Sequence, residues 1–146
     1  MSRGIRRVVT GLDAAGKAVV TRDEVFVEPS LRRPGQEVFV AWAAGRVPAD
    51  NRDDFTGNTT ATVMPEGAAF RVVRYAPGGS GRMHRTDSLD FGVVLAGSIT
   101  LEMEGAEVVF HAGDLLVQRG TLHRWTNHTA EPCTIVYVLI GAAPLS

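Results

Sequence analysis

Short runs of β-branched and other apolar residues alternate with turn-forming residues along most of this chain, the pattern of an all-β protein. Ile5 to Thr10 reads as a strand, Gly11 to Gly16 as a turn and Lys17 to Thr21 as a returning strand. Glu28 to Gly35 holds Pro29, Pro34 and Gly35 and reads as a loop. In Glu37 to Trp42 the alternation puts Val38, Val40 and Trp42 on one face. Pro48 to Asn58, with Asp50, Asp53 and Asp54, is expected to be an exposed polar loop.

After Gly67 the strands come about every eight to twelve residues, the spacing of a sandwich or barrel. The runs are Ala69–Tyr75, Arg82–His84, Leu89–Ala96, Ser98–Glu104, Glu107–His111, Leu115–Gln118, His123–Asn127 and Thr134–Ile140. Their separators are turn chemistry: Pro77-Gly78-Gly79, Ala96-Gly97, Glu104-Gly105, Ala112-Gly113-Asp114, Arg119-Gly120 and Glu131-Pro132. Ile99, Leu101 and Met103 alternate with Thr100, Glu102 and Glu104, so one face of that strand is buried. No segment carries a helical period, an internal repeat or a low-complexity tract.

Composition narrows the class. The 146 residues suit one domain, and 45% hydrophobic with 21% charged is a globular balance. No apolar run approaches the ~18 residues of a membrane span. The basic start, Met1 to Arg7, is not followed by the apolar core of a secretory signal. Cys133 is the only cysteine, which excludes an internal disulfide and a thiolate metal cluster and points to a reducing cytoplasm. A net charge of −1 gives no electrostatic case for nucleic acid or an anionic membrane as a partner. Fourteen Arg against one Lys, Lys17, is read as a GC-rich coding bias.

Two clusters carry candidate chemistry. The first runs from Gly78 to Gly97 and contains Arg82, His84, Arg85, Thr86 and Asp90. The second runs from Gly113 to Asn127 and contains His123, Trp125 and Asn127. Arg82, His84, Thr86 and Asp90 have the same parity and would face one side of an extended chain. Two imidazoles and one carboxylate on different strands of a small barrel can converge on its axis and hold a first-row metal, with Fe(II), Mn, Ni and Zn all suited to that donor set.

These clusters resemble the two motifs of the cupin superfamily, G-x5-H-x-H-x3-E-x6-G and G-x5-P-x-G-x2-H-x3-N. The first is matched by Gly78, His84, Thr86, Asp90 and Gly97, the second by Gly113, Gly120, His123 and Asn127. The resemblance covers about residues 66 to 142. It departs where Thr86 stands for the second His and Asp90 for Glu, and where the second motif is one residue short near Arg119. The family's three-His-one-Glu site is thereby reduced to His84, Asp90 and His123. The stretches around Met83–Thr86 and Val117–Thr121 are similar to small bacterial and fungal cupins of natural-product clusters.

The resemblance implies an all-β, cupin-type jelly-roll barrel over residues 66–146, preceded by a strand-bearing arm, residues 1–65, that either extends the sheet or pairs with a second subunit in a homodimer. His84, Asp90 and His123 are the expected catalytic residues and the expected ligands of a divalent metal. Arg82, Thr86 and Trp125 are the expected substrate contacts. The expected function is an enzyme of secondary metabolism acting on a small carbonyl- or phenol-bearing metabolite, as a cyclase, dehydratase, isomerase or decarboxylase. The alternatives are a metal-free acid–base lyase using the same three residues and a non-catalytic small-molecule-binding or sensing module. Asp90 is alternatively a structural partner of a turn amide or of Arg82, and Trp125 an ordinary core aromatic. His111 and His128 are expected to be exposed and Cys133 to be a small buried hydrophobe.

Overall fold

A computed structural model describes residues 4–55 and 64–145. The eleven strands among them are β1 (Ile5–Leu12), β2 (Ala18–Phe26), β3 (Leu31–Arg33), β4 (Gln36–Ala44), β5 (Ala68–Tyr75), β6 (Ser88–Ala96), β7 (Ser98–Met103), β8 (Glu107–His111), β9 (Leu115–Gln118), β10 (His123–Thr126) and β11 (Cys133–Gly141). β3-β4-β5-β11-β6-β9 form one sheet, β10-β7-β8 a second, and β1-β2 a separate hairpin. Every pairing is antiparallel.

The two larger sheets close on one core. Val38, Val40, Val73, Ile135 and Leu139 come from the six-stranded sheet, and Ile99, Leu101, Phe110 and Trp125 from the three-stranded one. Alternation explains the split: Cys133, Ile135, Tyr137 and Leu139 are the buried positions of β11, at every second residue. Gly97 turns β6 into β7 at φ +77°, and a Cβ there would meet the Pro132 carbonyl oxygen at 2.3 Å, so only glycine fits. Gly92 pairs with Tyr137 across β6 and β11 and leaves room for that ring.

Three local expectations are corrected. Arg82–His84 is not a strand; within it only His84 makes a bridge, an isolated one to His123, as Ser80 just before it does to Thr126. The expected Glu28–Gly35 loop contains β3, which its three residues could not signal between prolines. The ladder between β4 and β5 shifts register between Val40 and Trp42, so Trp42 lies opposite the exposed Phe70 and leaves the face of Val38 and Val40. Of the expected 48–58 loop, residues 48–55 are mostly exposed and irregular, and 56–58 lie outside the described residues.

The displaced Trp42 anchors the hairpin. Its ring packs on Phe55 at 5.8 Å and lies beneath the guanidinium groups of Arg7 and Arg22 at 5.8 and 5.5 Å. Arg7 also donates to the Ala41 carbonyl and pairs with Glu24. β4, although it precedes residue 66, is an inner strand of the large sheet, whereas β1 and β2 pair only with each other.

Candidate functional site

A cavity of about 520 Å³ opens between the two sheets, lined by residues of β4, β5, β6, β10 and β11 and of the 80–86 segment. All six sequence-expected site residues share it, as the parity of their two segments foresaw. Arg82, His84, Thr86 and Asp90 face it from one segment, and His123 and Trp125 from β10. Asn127 does not: it is fully buried in the turn after β10, donating to the Tyr75 and Glu131 carbonyls and accepting from Thr129.

The bridge between His84 and His123 brings their rings to 4.7 Å between centroids. Nδ1 of His84 lies 2.9 Å from the Arg82 carbonyl oxygen, and Nδ1 of His123 lies 2.7 Å from that of Thr121. A carbonyl only accepts, so each Nδ1 carries a proton, and the neutral form of either ring has its lone pair on Nε2. Burial pulls the His123 imidazole below its ordinary value, the Thr121 hydrogen bond opposing and His84 adding to the shift.

Asp90 is 6% exposed. Ser88 donates to its Oδ1 at 2.6 Å, and the Ser88 and Thr86 hydroxyls lie 2.8 Å apart, so Thr86 joins Asp90 through a serine relay. Burial pushes the Asp90 carboxyl above the usual carboxylate range, against the Ser88 hydrogen bond, His84 and Arg71. Trp125 is both wall and core: it is buried and packs on Tyr75, Phe110, His123 and Tyr137. Arg82 is exposed, at the cavity mouth. His111 and His128 are exposed, and Cys133 is wholly buried, its thiol pushed up to about 11 by burial.

The expected metal centre is not assembled. Among the described residues, no three His, Cys, Asp or Glu side chains are grouped so as to hold a metal ion. Asp90 is tied to Ser88, and only the two imidazoles meet. The donor set therefore does not fit a three-residue cage of His84, Asp90 and His123.

The structure adds residues that the motifs do not contain. Arg71 of β5 lies between Val40 and Tyr137 in the sheet, is 5% exposed and lines the cavity. The signal was present in the sequence, because Ala69, Arg71, Val73 and Tyr75 share the inward face of β5. Tyr75 and Tyr137 touch through their hydroxyls at 3.0 Å, and burial raises both phenols, so both stay neutral. Gln118, opposite Asp90 on β9, accepts from Thr121 but leaves its Nε2 without a partner. A wider cleft of about 810 Å³ lies between the hairpin and the barrel. All three of its arginines are already paired, Arg22 with Asp54 and Arg46 and Arg52 with Asp50.

Comparisons with known proteins agree with this architecture. The model of a cupin domain matches residues 71–139. The chain is 36% identical to the phomopsin biosynthesis cluster protein D of Diaporthe leptostromiformis over 151 aligned positions, covering 95% of this chain and 79% of that protein. It is 30% identical to a cupin-domain-containing oxidoreductase of Neurospora crassa, covering 95% and 74% of the two chains. A solved Cupin 2 conserved barrel domain protein from Salinispora arenicola superposes with a TM-score of 0.53 at 21% identity, covering 75% of this chain and 80% of that one. With its two-sheet barrel and its pair of motif histidines, this chain belongs to the cupin family.

Proposed function

We propose that this protein is an enzyme of secondary metabolism that moves protons on a small carbonyl- or phenol-bearing metabolite held in the barrel cavity. The observation that carries the reading is the imidazole pair. Two rings, each fixed by an Nδ1 hydrogen bond to a backbone carbonyl, line one cavity, and in the neutral form each has Nε2 free to take a proton. A general base needs that tautomer and a value not far from the working pH.

His123, kept neutral by burial, takes a proton from the carbon beside a carbonyl, or from a phenol, onto Nε2. His84 lies beside it as a second acceptor. Asp90, whose carboxyl keeps its proton to higher pH than a free side chain, gives that proton to a leaving hydroxyl or to the neighbouring carbon. The first outcome is dehydration and the second isomerisation; ring closure uses the same carbanion as nucleophile. Thr86 and Ser88 hold the acid in place. The transfers need only side chains, which is the metal-free acid–base form of the expected chemistry. The names of the relatives, a biosynthesis cluster protein and a cupin-domain-containing oxidoreductase, support the metabolic setting.

Deuterium exchange tests the reading without knowledge of the substrate. A panel of small aryl ketones and 1,3-dicarbonyls is incubated with the protein in heavy water and read by NMR. Exchange beside the carbonyl, absent with His123→Ala, is the expected result. Compounds that bind without exchanging would identify a binding or sensing module instead. A homodimer in the cytoplasm belongs to the same proposal. β1 and β2 leave their outer edges unpaired, with Leu12, Val20 and Val25 exposed, and a monomer by light scattering would remove the dimer.

A further inference from the structure

Arg71 is a buried cation without a counter-charge. Its Nε is buried and has no hydrogen-bond partner, and among the described residues its guanidinium makes no hydrogen bond and no ion pair. Natural proteins seldom leave a buried charge so, because desolvation without a partner is costly. The groups that face it do not supply the missing anion. Arg33 is a second cation, Tyr75 and Tyr137 are neutral phenols bonded to each other, and the nearest carboxyl, Asp90, is engaged by Ser88 and lies beyond ion-pair distance. Arg71, Arg33, Arg82 and Arg85 all line the cavity against the single acid Asp90, and Arg71 alone of the four is buried.

We propose that Arg71 is the anchor for a carboxylate on the ligand of this cavity, with Arg33 adding long-range attraction. A guanidinium presents a planar fork that matches a carboxylate. One buried guanidinium balances one negative charge, and Asp90 disfavours a phosphate dianion. The substrate class narrows accordingly, to small carbonyl- or phenol-bearing acids. The inference deepens the reading of the cavity as a ligand site but stands apart from the proton chemistry assigned to His84 and His123.

Isothermal titration with benzoate and with its neutral isostere benzamide tests it, with thermal melting of each variant. Wild type should bind benzoate at least tenfold more tightly than benzamide. Arg71→Met should erase that preference and raise the melting temperature, since it removes an unpaired buried charge. Arg71→Lys, keeping the charge but not the fork, should retain part of the preference. Equal binding of benzoate and benzamide by wild type would overturn the proposal, as would tighter binding of inorganic phosphate than of benzoate. Unfolding of Arg71→Met would assign the residue to the fold and overturn it too. Failed deuterium exchange with intact benzoate selectivity would remove the proton chemistry and leave this subsite standing.

Discussion

On the 82–90 segment and β10, the two imidazoles and the carboxyl of the cavity have partners. His84 and His123 donate to carbonyls, and Asp90 accepts from a serine that itself meets Thr86. On β5 and β11 the situation differs. Tyr75 and Tyr137 satisfy each other, while Arg71 in the same layer has no partner. The first set is oriented by the protein alone, as groups that move protons must be. The second holds one charge unsatisfied, as a group waiting for a ligand does. The lesson is that the two kinds of site residue differ in what the empty protein gives them.

The largest expected effect breaks the first set. His123→Ala should lower proton exchange by about 100- to 10,000-fold, the usual contribution of a general base, with the melting temperature changed little. Equal exchange by wild type and variant would move the base elsewhere. The next effect separates the tyrosines from Arg71. Tyr137→Phe leaves the buried Tyr75 hydroxyl without its partner and should cost about 1–3 kcal/mol of stability, measured by denaturant unfolding, whereas Arg71→Met should cost none.

Asp90 sharpens the contrast through pH. Its carboxyl is raised in the fold, so its contribution to stability is complete below the unfolded value of 3.8 and is lost as pH rises through the folded one. Asp90→Asn mimics the protonated acid and still accepts from Ser88. It should therefore melt higher than wild type at neutral pH, with the gain vanishing in acid, while turnover falls. A variant less stable at neutral pH would show that the carboxylate form is the native one. The smallest effect is that of a chelator. With only two imidazoles meeting, its addition should change proton exchange less than about twofold, a difference of under about 0.4 kcal/mol in barrier. Loss of activity restored by one divalent ion would return the site to metal chemistry.

The motif residues were legible because their spacing is local. Parity along residues 82–90 and 123–125 is enough to bring Arg82, His84, Thr86, Asp90, His123 and Trp125 to one cavity. Arg71 was passed over because an arginine in a strand is ordinarily solvent-facing. Its place became visible only once β5 was set between β4 and β11. Trp42 was misplaced for a related reason: counting by twos does not see a bulge, and one extra residue moves every later side chain to the other face. The three-ligand centre was expected from residue types at motif positions, but whether a carboxylate reaches two imidazoles depends on which hydroxyl holds it, and Ser88 lies between Thr86 and Asp90 with no motif role.

The account rests on two imidazoles that hold a proton on Nδ1. Nitrogen-15 NMR of the histidine side chains, assigned with His84→Ala and His123→Ala, observes this directly. The account predicts that both rings carry a proton on Nδ1. It also predicts that His123 takes up its second proton only below the ordinary value of 6.5. A ring with its proton on Nε2 and none on Nδ1, or a His123 imidazolium at neutral pH, would contradict it.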